Sequence, residues 1–456
     1  MGANEQVNEN ELIKAGSRFL RGTLRESIAD ELTGALAPAD AQICKFHGFY
    51  EQDDRDHRQD RAERFLEPQY DFMLRARLPG GVCTPPQWLA IDGISGTLGN
   101  GTIRLTTRQT FQFHGILKRN LKPLIQGINQ AMIDSIGGCG DVNRNVLCNP
   151  NPEASALHAE VYGWARRISE HLLPQTRAYH EIWLDGTPVE GGEVEPLYGE
   201  TYLPRKFKTA VAVPPHNDVD VYTNDLGFVA IADDDRLLGF NVLAGGGMGT
   251  THGDPTTYPR LADTLGFVAP EQVLAVAAAV LTTQRDFGNR SSRRHARLKY
   301  TVDRMGLAAF KAEVERRAGL TFTPAHPVVF TDQGDRYGWV CGTDGRWHLT
   351  LYLENGRVAD LPGAALMTGL RELAKIHQGD LRITPNQNLI VAGVPAGQRE
   401  RIEAIAQAHG LLAAGRTPIR LAAIACVAFP TCPQAMAEAE RSFPDLLDRI
   451  EPLAAR

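Results

Sequence analysis

A chain of 456 residues has room for roughly two to four domains with sizeable cores, and its 43% hydrophobic and 22% charged content is that of an ordinary globular protein. A net charge of −6 excludes a general nucleic-acid or membrane-surface binder, and no apolar run approaches the length of a membrane span. Seven scattered cysteines argue against a secreted disulfide framework, and Met1-Gly2-Ala3-Asn4-Glu5-Gln6 has no signal-like region, so the expected compartment is the cytoplasm.

Residues 1–65 read as helix followed by a mixed-charge segment, Glu51-Gln52-Asp53-Asp54-Arg55-Asp56-His57-Arg58, expected to be a solvated arm packed on the main body. From Asp71 onward, strand-like stretches at 72–78, 103–106 and 110–113 are separated by turns at Gly80-Gly81 and Gly99-Asn100-Gly101. Helical patterns cover 151–173, 270–287 and 361–376; the second has Pro270 in its first turn and Gly288 past its end. Strands interleaved with helices predict a mixed α/β, or α+β, architecture.

An internal repeat sharpens that expectation. Residues 103–116 align without gaps on 381–394, matching Arg104 with Arg382, Gln109 with Gln387 and Gly115 with Gly393. The same offset of 278 puts Cys148 on Cys426, Pro152 on Pro430, and Ala159-Glu160 on Ala437-Glu438. The spacing predicts a pseudo-twofold duplication. The first copy continues to about residue 300, whereas only 18 residues follow Glu438, so much of the second copy is expected to be absent.

Basic residues gather locally despite the acidic net charge. Arg75 and Arg77 flank Ala76 in a strand, and Lys206 and Lys208 flank Phe207; period-two geometry puts each pair on one face. Arg104 and Arg108 sit in the first repeat motif, Arg144 lies between two asparagines, and Arg290, Arg293, Arg294, Arg297 and Lys299 share one segment. Such cations can line a pocket for a polyanion, because forked guanidiniums pair bidentately with carboxylates. Any one of them could instead be a surface ion pair. His114, after Phe113, is either a satisfied core histidine or a ligand. Gly245-Gly246-Gly247-Met248-Gly249-Thr250 fits neither nucleotide-loop pattern and reads equally as a close backbone approach. With no dinucleotide fingerprint, electrons for any redox chemistry must come from another polypeptide or domain.

Cys44, Cys83, Cys139, Cys148 and Cys341 lack ligand-type spacing, Cys148 being notable as the repeat partner of Cys426. Cys426-x5-Cys432 is different. It is too wide for a zinc knuckle, and Cys432 precedes Pro433 and a helical pattern over 434–441, whose N-terminus would favour a thiolate. Two such cysteines are half the thiolates of an iron–sulfur cubane.

These segments match something specific. His47–Asp56, Arg77–Val82, Arg104–Gly115, Asn143–Cys148, Tyr202–Thr209, Thr283–Arg290 and Ala425–Arg441 resemble the haemoprotein component of assimilatory NADPH-sulfite reductase, within the sulfite and nitrite reductase family, over nearly the whole chain. The resemblance implies a pseudo-twofold fold whose ferredoxin-like centre is made of two half-repeats, 71–136 and 338–411. A 1–70 arm precedes them, a sirohaem-and-substrate α/β domain fills 137–337, and an incomplete cluster-binding α/β domain begins at 412. It implies sirohaem and a [4Fe-4S] cluster as cofactors, sulfite as substrate and an NADPH-oxidising FAD/FMN flavoprotein as electron donor, without nucleic acid or membrane. Arg75, Arg144, Lys206 and Lys208 would surround the substrate face of the haem. Arg104, Arg108, His114 and Arg297 would contact its periphery, the arginines holding its carboxylates. Cys426 and Cys432 correspond to the first cluster pair; the family's later Cys-x3-Cys pair, which includes the ligand bridging to the haem iron, does not occur here. The 456 residues alone are therefore expected to be poorly stable and to lack the cluster. A nitrite-reducing relative, and a non-catalytic haem-binding or docking module, remain alternatives.

Overall fold

The computed structural model describes residues 7–151, 155–187 and 195–454. Its centre is a pair of five-stranded antiparallel sheets built by the two repeats. The first runs Phe49–Asp53, Tyr70–Arg75, Phe111–Ile116, Ile103–Leu105 and Arg357–Val358. The second runs Gly338–Cys341, Trp347–Leu351, Leu389–Val394, Asp380–Ile383 and Val82–Cys83. Ile103, Leu105, Phe111, Phe113 and Ile116, with their repeat mates Leu381, Ile383, Leu389, Val391 and Val394, are all fully buried. Burial on this scale is what holds the register of each hairpin.

Each sheet is completed by a strand from the other repeat. Val358 pairs with Ile103, and Cys83 pairs with Leu381. The exchange is repeated in side chains: Gln109 donates to the Ile383 carbonyl at 3.0 Å, and Gln387 donates to the Leu105 carbonyl at 2.9 Å. Residues 105 and 383 are themselves mates at the 278 offset, so the two bonds are related by the pseudo-twofold. Gly81 (φ 73°) and Gly356 (φ 68°) feed the swapped strands; a Cβ on either would lie 2.6 Å from the carbonyl of Ile383 or Leu105. Only glycine fits such positions without strain.

Helices Pro85–Leu98 and Leu121–Gln130 back the first sheet, and Leu366–Ile376 and Arg399–Ala408 the second. Thr84 and Gln87 form a reciprocal capping box at the first of these. Asp92 and Arg371 tie Pro85–Leu98 to Leu366–Ile376 across the pseudo-twofold (Nη2 to Oδ1, 2.9 Å).

A third, mixed sheet lies between the repeats in sequence, in the order Asp263–Val268, Arg236–Ala244, Leu226–Asp233, Thr209–Ala212 and Leu147–Cys148. Helices Ala156–His171 and Val273–Phe287 pack against it through Val161, Ile168, Val276 and Val280. No helix of the described residues is long and apolar enough to cross a membrane.

Four sequence expectations change. The mixed-charge segment is not only a solvated arm: Phe49–Asp53 is the outer strand of the first sheet, and Arg55 reaches into the structure beyond it. The Tyr70–Arg75 strand stops before Arg77, which turns away to pair with Asp134 at 2.6 Å. The 434–441 stretch is turns, and the helix begins only at Phe443. Tertiary contacts override the helical pattern: the Ala435 carbonyl accepts from Arg55 (2.9 Å) and the Glu440 N–H donates to the Cys426 carbonyl (3.1 Å), groups that a helix over 434–441 would have bonded within itself; Pro444 stands in the first turn of the helix that follows. The repeat match of Ala159-Glu160 with Ala437-Glu438 therefore joins helix to turn, while Pro152 and Arg456 lie outside the described residues.

Candidate active site

A cavity of about 580 Å³ opens where the first sheet, the 140–144 and 205–206 segments that lead into the third sheet, and Cys432 of the Cys426–Cys432 loop meet. Arg75, Arg144, Lys206, Lys45, Tyr50 and Cys432 all line it. The placing of the cations follows from local backbone structure. Arg75 is the last residue of its strand. Phe207 is buried, and its backbone is zipped to the neighbouring segment: Arg144 N–H donates to the Phe207 carbonyl (2.8 Å) and Phe207 N–H to Val142 (3.0 Å). Burying the phenyl ring thus forces Lys206 outward alongside Arg144. Arg144 is held in turn by the carbonyls of Gly140 (2.7 Å) and Gly138 (3.3 Å).

The electrostatics are unbalanced toward positive charge. Burial first, then the cations of Arg144, Lys208, Arg205 and Arg297, push Lys206 down to about 6. Burial, Arg108 and Arg297 push Lys208 down to about 7, with Asp225 opposing them. The principal carboxylate on the cavity wall, Asp141, is committed: burial alone would raise it, but Arg293 (2.8 Å) and Lys14 hold it below the usual range. An anion entering this cavity meets the guanidiniums of Arg75 and Arg144, for which no carboxylate lies within ion-pair distance among the described residues.

The remaining predicted contacts stand on the flanks. Arg297 makes a two-pronged pair with the fully buried carboxylate of Asp225 (2.9 and 2.7 Å). Arg108 donates to Asn224, Asn145 and Thr209, with its buried Nε left unpartnered. Arg104 bonds the Ala425 carbonyl at 2.6 Å and lies 3.2 Å from Glu440. His114 is buried and its Nε2 has no partner; burial and then Arg357, Arg104 and Arg75 hold its ring well below the ordinary histidine range, so it is neutral near pH 7. Of the basic run, Arg290, Arg294 and Lys299 are spent on Glu11, Asp254 and the carbonyls of the glycine loop. That loop is a close backbone approach: a Cβ on Gly246 would meet the Tyr222 carbonyl at 2.2 Å.

Cys426 and Cys432 bound a tight loop. Cys432 N–H donates to Ala428 (2.9 Å), whose φ is 51°, and the Phe429–Pro430 peptide is cis. The loop ends are pinned by Asn355 on Ala425 N–H (2.8 Å) and by Glu440 N–H on the Cys426 carbonyl (3.1 Å). Cys426 is exposed and Cys432 half-buried, so both thiols remain accessible to a ligand. Orphaned nitrogens on Arg108 and His114 and a cationic cavity fit a polycarboxylate macrocycle, and the two free thiols fit half of the four-thiolate ligand set of an iron–sulfur cubane.

The structure brings Arg75, Arg144, Lys206 and Cys432 into one cavity and sets Arg77 apart from it. Sequence reasoning missed Lys45, Tyr50, Arg205 and Asp141, which line the same cavity. The signal for Arg205 was adjacency to Lys206, and Tyr50 lay inside the His47–Asp56 segment of the resemblance; Lys45 carried none, because the fold alone brings it to this wall.

Comparisons with known proteins agree with this chemistry. The family described as "Nitrite and sulphite reductase 4Fe-4S domain" matches residues 163–322. The "Nitrite/Sulfite reductase ferredoxin-like half domain" matches twice, at 66–131 and 342–409, one match per repeat. The "Sulfite reductase [NADPH] hemoprotein beta-component" of Thiocapsa roseopersicina is 69% identical over 97% of this chain and 79% of its own length. That of Shewanella denitrificans is 60% identical over 100% of this chain and 81% of its own length. The solved structure of the Mycobacterium tuberculosis NirA protein superposes with a TM-score of 0.79 at 24% identity, over 99% of this chain and 80% of that one, and so shares its fold. The pseudo-twofold sheets, the cationic cavity and these identities together make the chain a member of the sulfite reductase [NADPH] hemoprotein beta-component family.

Proposed function

We propose that this chain is the catalytic haemoprotein component of an assimilatory sulfite reductase, reducing sulfite to sulfide by six electrons drawn from an NADPH-oxidising flavoprotein in the cytoplasm. One observation carries the reading: Arg75, Arg144 and Lys206 share a cavity with Cys432. All seven cysteines are free, which suits a reducing compartment.

When bound, sirohaem and a [4Fe-4S] cluster supply the electron transfer. Cys426 and Cys432 are the residues that would ligate the cluster, and Arg104, Arg108, His114 and Arg297 those that would meet the macrocycle's edge. The chain's own contribution is charge and protons. Arg75 and Arg144 carry a fixed positive charge that draws in and orients an oxyanion. Lys206 near 6 and Lys208 near 7 are only partly protonated at neutral pH. An arriving anion reverses the local charge balance and raises both, so each lysine takes up a proton as substrate binds. Each oxygen leaving as water consumes two protons, and a loaded ammonium beside it is placed to give one.

The test is turnover by the full-length protein carrying both cofactors, reduced by a chemical donor and offered sulfite or nitrite. Sulfide formation with the higher kcat/KM for sulfite supports the reading. Preferred conversion of nitrite to ammonium would assign the site to nitrite instead, and turnover of neither would leave a binding module.

A further inference from the structure

Arg55 belongs to the mixed-charge segment that the reaction above does not use, yet it is the most heavily engaged contact on the cysteine loop. Its guanidinium lies 4.2 Å from the ring centroid of Phe429, inside the Cys426–Cys432 span. The same guanidinium donates from Nη1 to the carbonyl of Cys432 and to that of Ala435, each at 2.9 Å. Its backbone N–H donates to the Pro430 carbonyl at 3.2 Å. One residue thus touches the loop at three points and Ala435, just beyond it, at a fourth. Nothing local requires this: Arg55 and Cys432 are 377 positions apart.

The neighbouring charges are already paired. Arg58 takes Asp53 (2.7 Å), and Arg441, just beyond the loop, takes Asp56 (2.5 Å). The Arg55 guanidinium has no carboxylate partner among the described contacts and spends its charge on carbonyl oxygens of the loop. A guanidinium over an aromatic ring with two carbonyl acceptors at 2.9 Å is a directional arrangement.

Resting on the proposed role of Cys432 as a cluster ligand, we infer that Arg55 is a positioning residue for that ligand. It fixes the backbone that presents the Cys432 thiolate, and its positive charge favours the reduced, more negative state of the centre. Reduction potentials of iron–sulfur centres respond to nearby charge and hydrogen bonding in this sense.

The experiment uses the full-length holoenzyme, with the midpoint potential of the cluster read by EPR-monitored redox titration and iron content measured alongside. Arg55→Gln keeps a donor for the carbonyls but removes the charge; Arg55→Lys keeps the charge. The expected result is that R55Q is about tenfold harder to reduce, a shift of about 59 mV for a one-electron couple, while R55K stays near wild type. R55K behaving like R55Q, whether both shift, both lose iron or neither changes, overturns the inference. Loss of cluster from R55Q alone supports it. Cys432→Ala separates the two claims: an unaltered cluster there would refute the ligand reading itself, whatever Arg55 does.

Discussion

Lys206 and Lys208 are held in a strained charge state, and that strain is readable in solution. An unfolded lysine titrates near 10.4, whereas burial and neighbouring guanidiniums bring these two to about 6 and about 7 in the folded chain. Between those values the unfolded state binds more protons, so stability rises with pH from about 6 toward about 10. Thermal melts of the chain without bound anion are expected to show this rise, and Lys206→Met with Lys208→Met to flatten it. Added sulfate or phosphate should stabilise the low-pH side most, by pairing the protonated lysines. A second prediction concerns Arg297. Its partner Asp225 is fully buried, so Arg297→Ala leaves that carboxylate with only the Lys208 N–H as a hydrogen-bond donor (2.9 Å) and is expected to cost about 3 kcal/mol. Urea denaturation measures this, and Arg297→Ala combined with Asp225→Asn should recover part of the loss.

At the scale of elements, the strand exchange between repeats concentrates stability in two glycines. Gly81 and Gly356 have φ of 73° and 68° and equally close approaches to the opposite repeat. Ala at either position pays for a left-handed backbone, about 1–3 kcal/mol, and for a Cβ pressed on a carbonyl. Gly81→Ala and Gly356→Ala are therefore expected to destabilise by similar amounts in denaturant melts; a large cost at one and none at the other would break the pseudo-twofold account. The duplication was legible because a constant 278 offset survives in Arg104, Gln109 and Gly115; Arg104 pairs with Arg357 of one swapped strand, and Gln109 packs on Gly81 before the other. The cationic pairs were legible only in part. Period-two reasoning grouped Arg75 with Arg77, but the strand ends between them and Asp134 claims the second arginine. The reading of a helix over 434–441 failed because Arg55 on the Ala435 carbonyl and the Glu440 N–H on the Cys426 carbonyl take backbone groups that a helix would need. Nor could sequence show Arg55 on the cysteine loop, since no local pattern records a partner 377 positions away.

Across the whole molecule, the two repeats and the third sheet act as a frame that brings distant cations to one wall. Arg75 comes from the first sheet, Arg144 and Lys206 from the segments entering the third, and Cys432 from the loop after the second repeat. Sequence neighbours flag Cys432 and Lys206 singly, but only the assembled fold brings them to one wall with Arg75 and Arg144. Helix Glu9–Gly16 closes one side: Lys14 bonds the Leu203 carbonyl at 2.7 Å and lies 3.6 Å from Asp141, so that carboxylate is shared with Lys14 and Arg293 and not given to Arg75 or Arg144. The account stands or falls on whether that surplus charge drives the chemistry. The most direct measurement is sulfide production by the full-length holoenzyme and its Lys206→Met variant, with the absorption spectra of both cofactors recorded on the same samples. Loss of a positioned proton donor should lower kcat by about 10²–10⁴-fold while the spectra stay unchanged; an unchanged kcat in a variant with intact cofactors would contradict it.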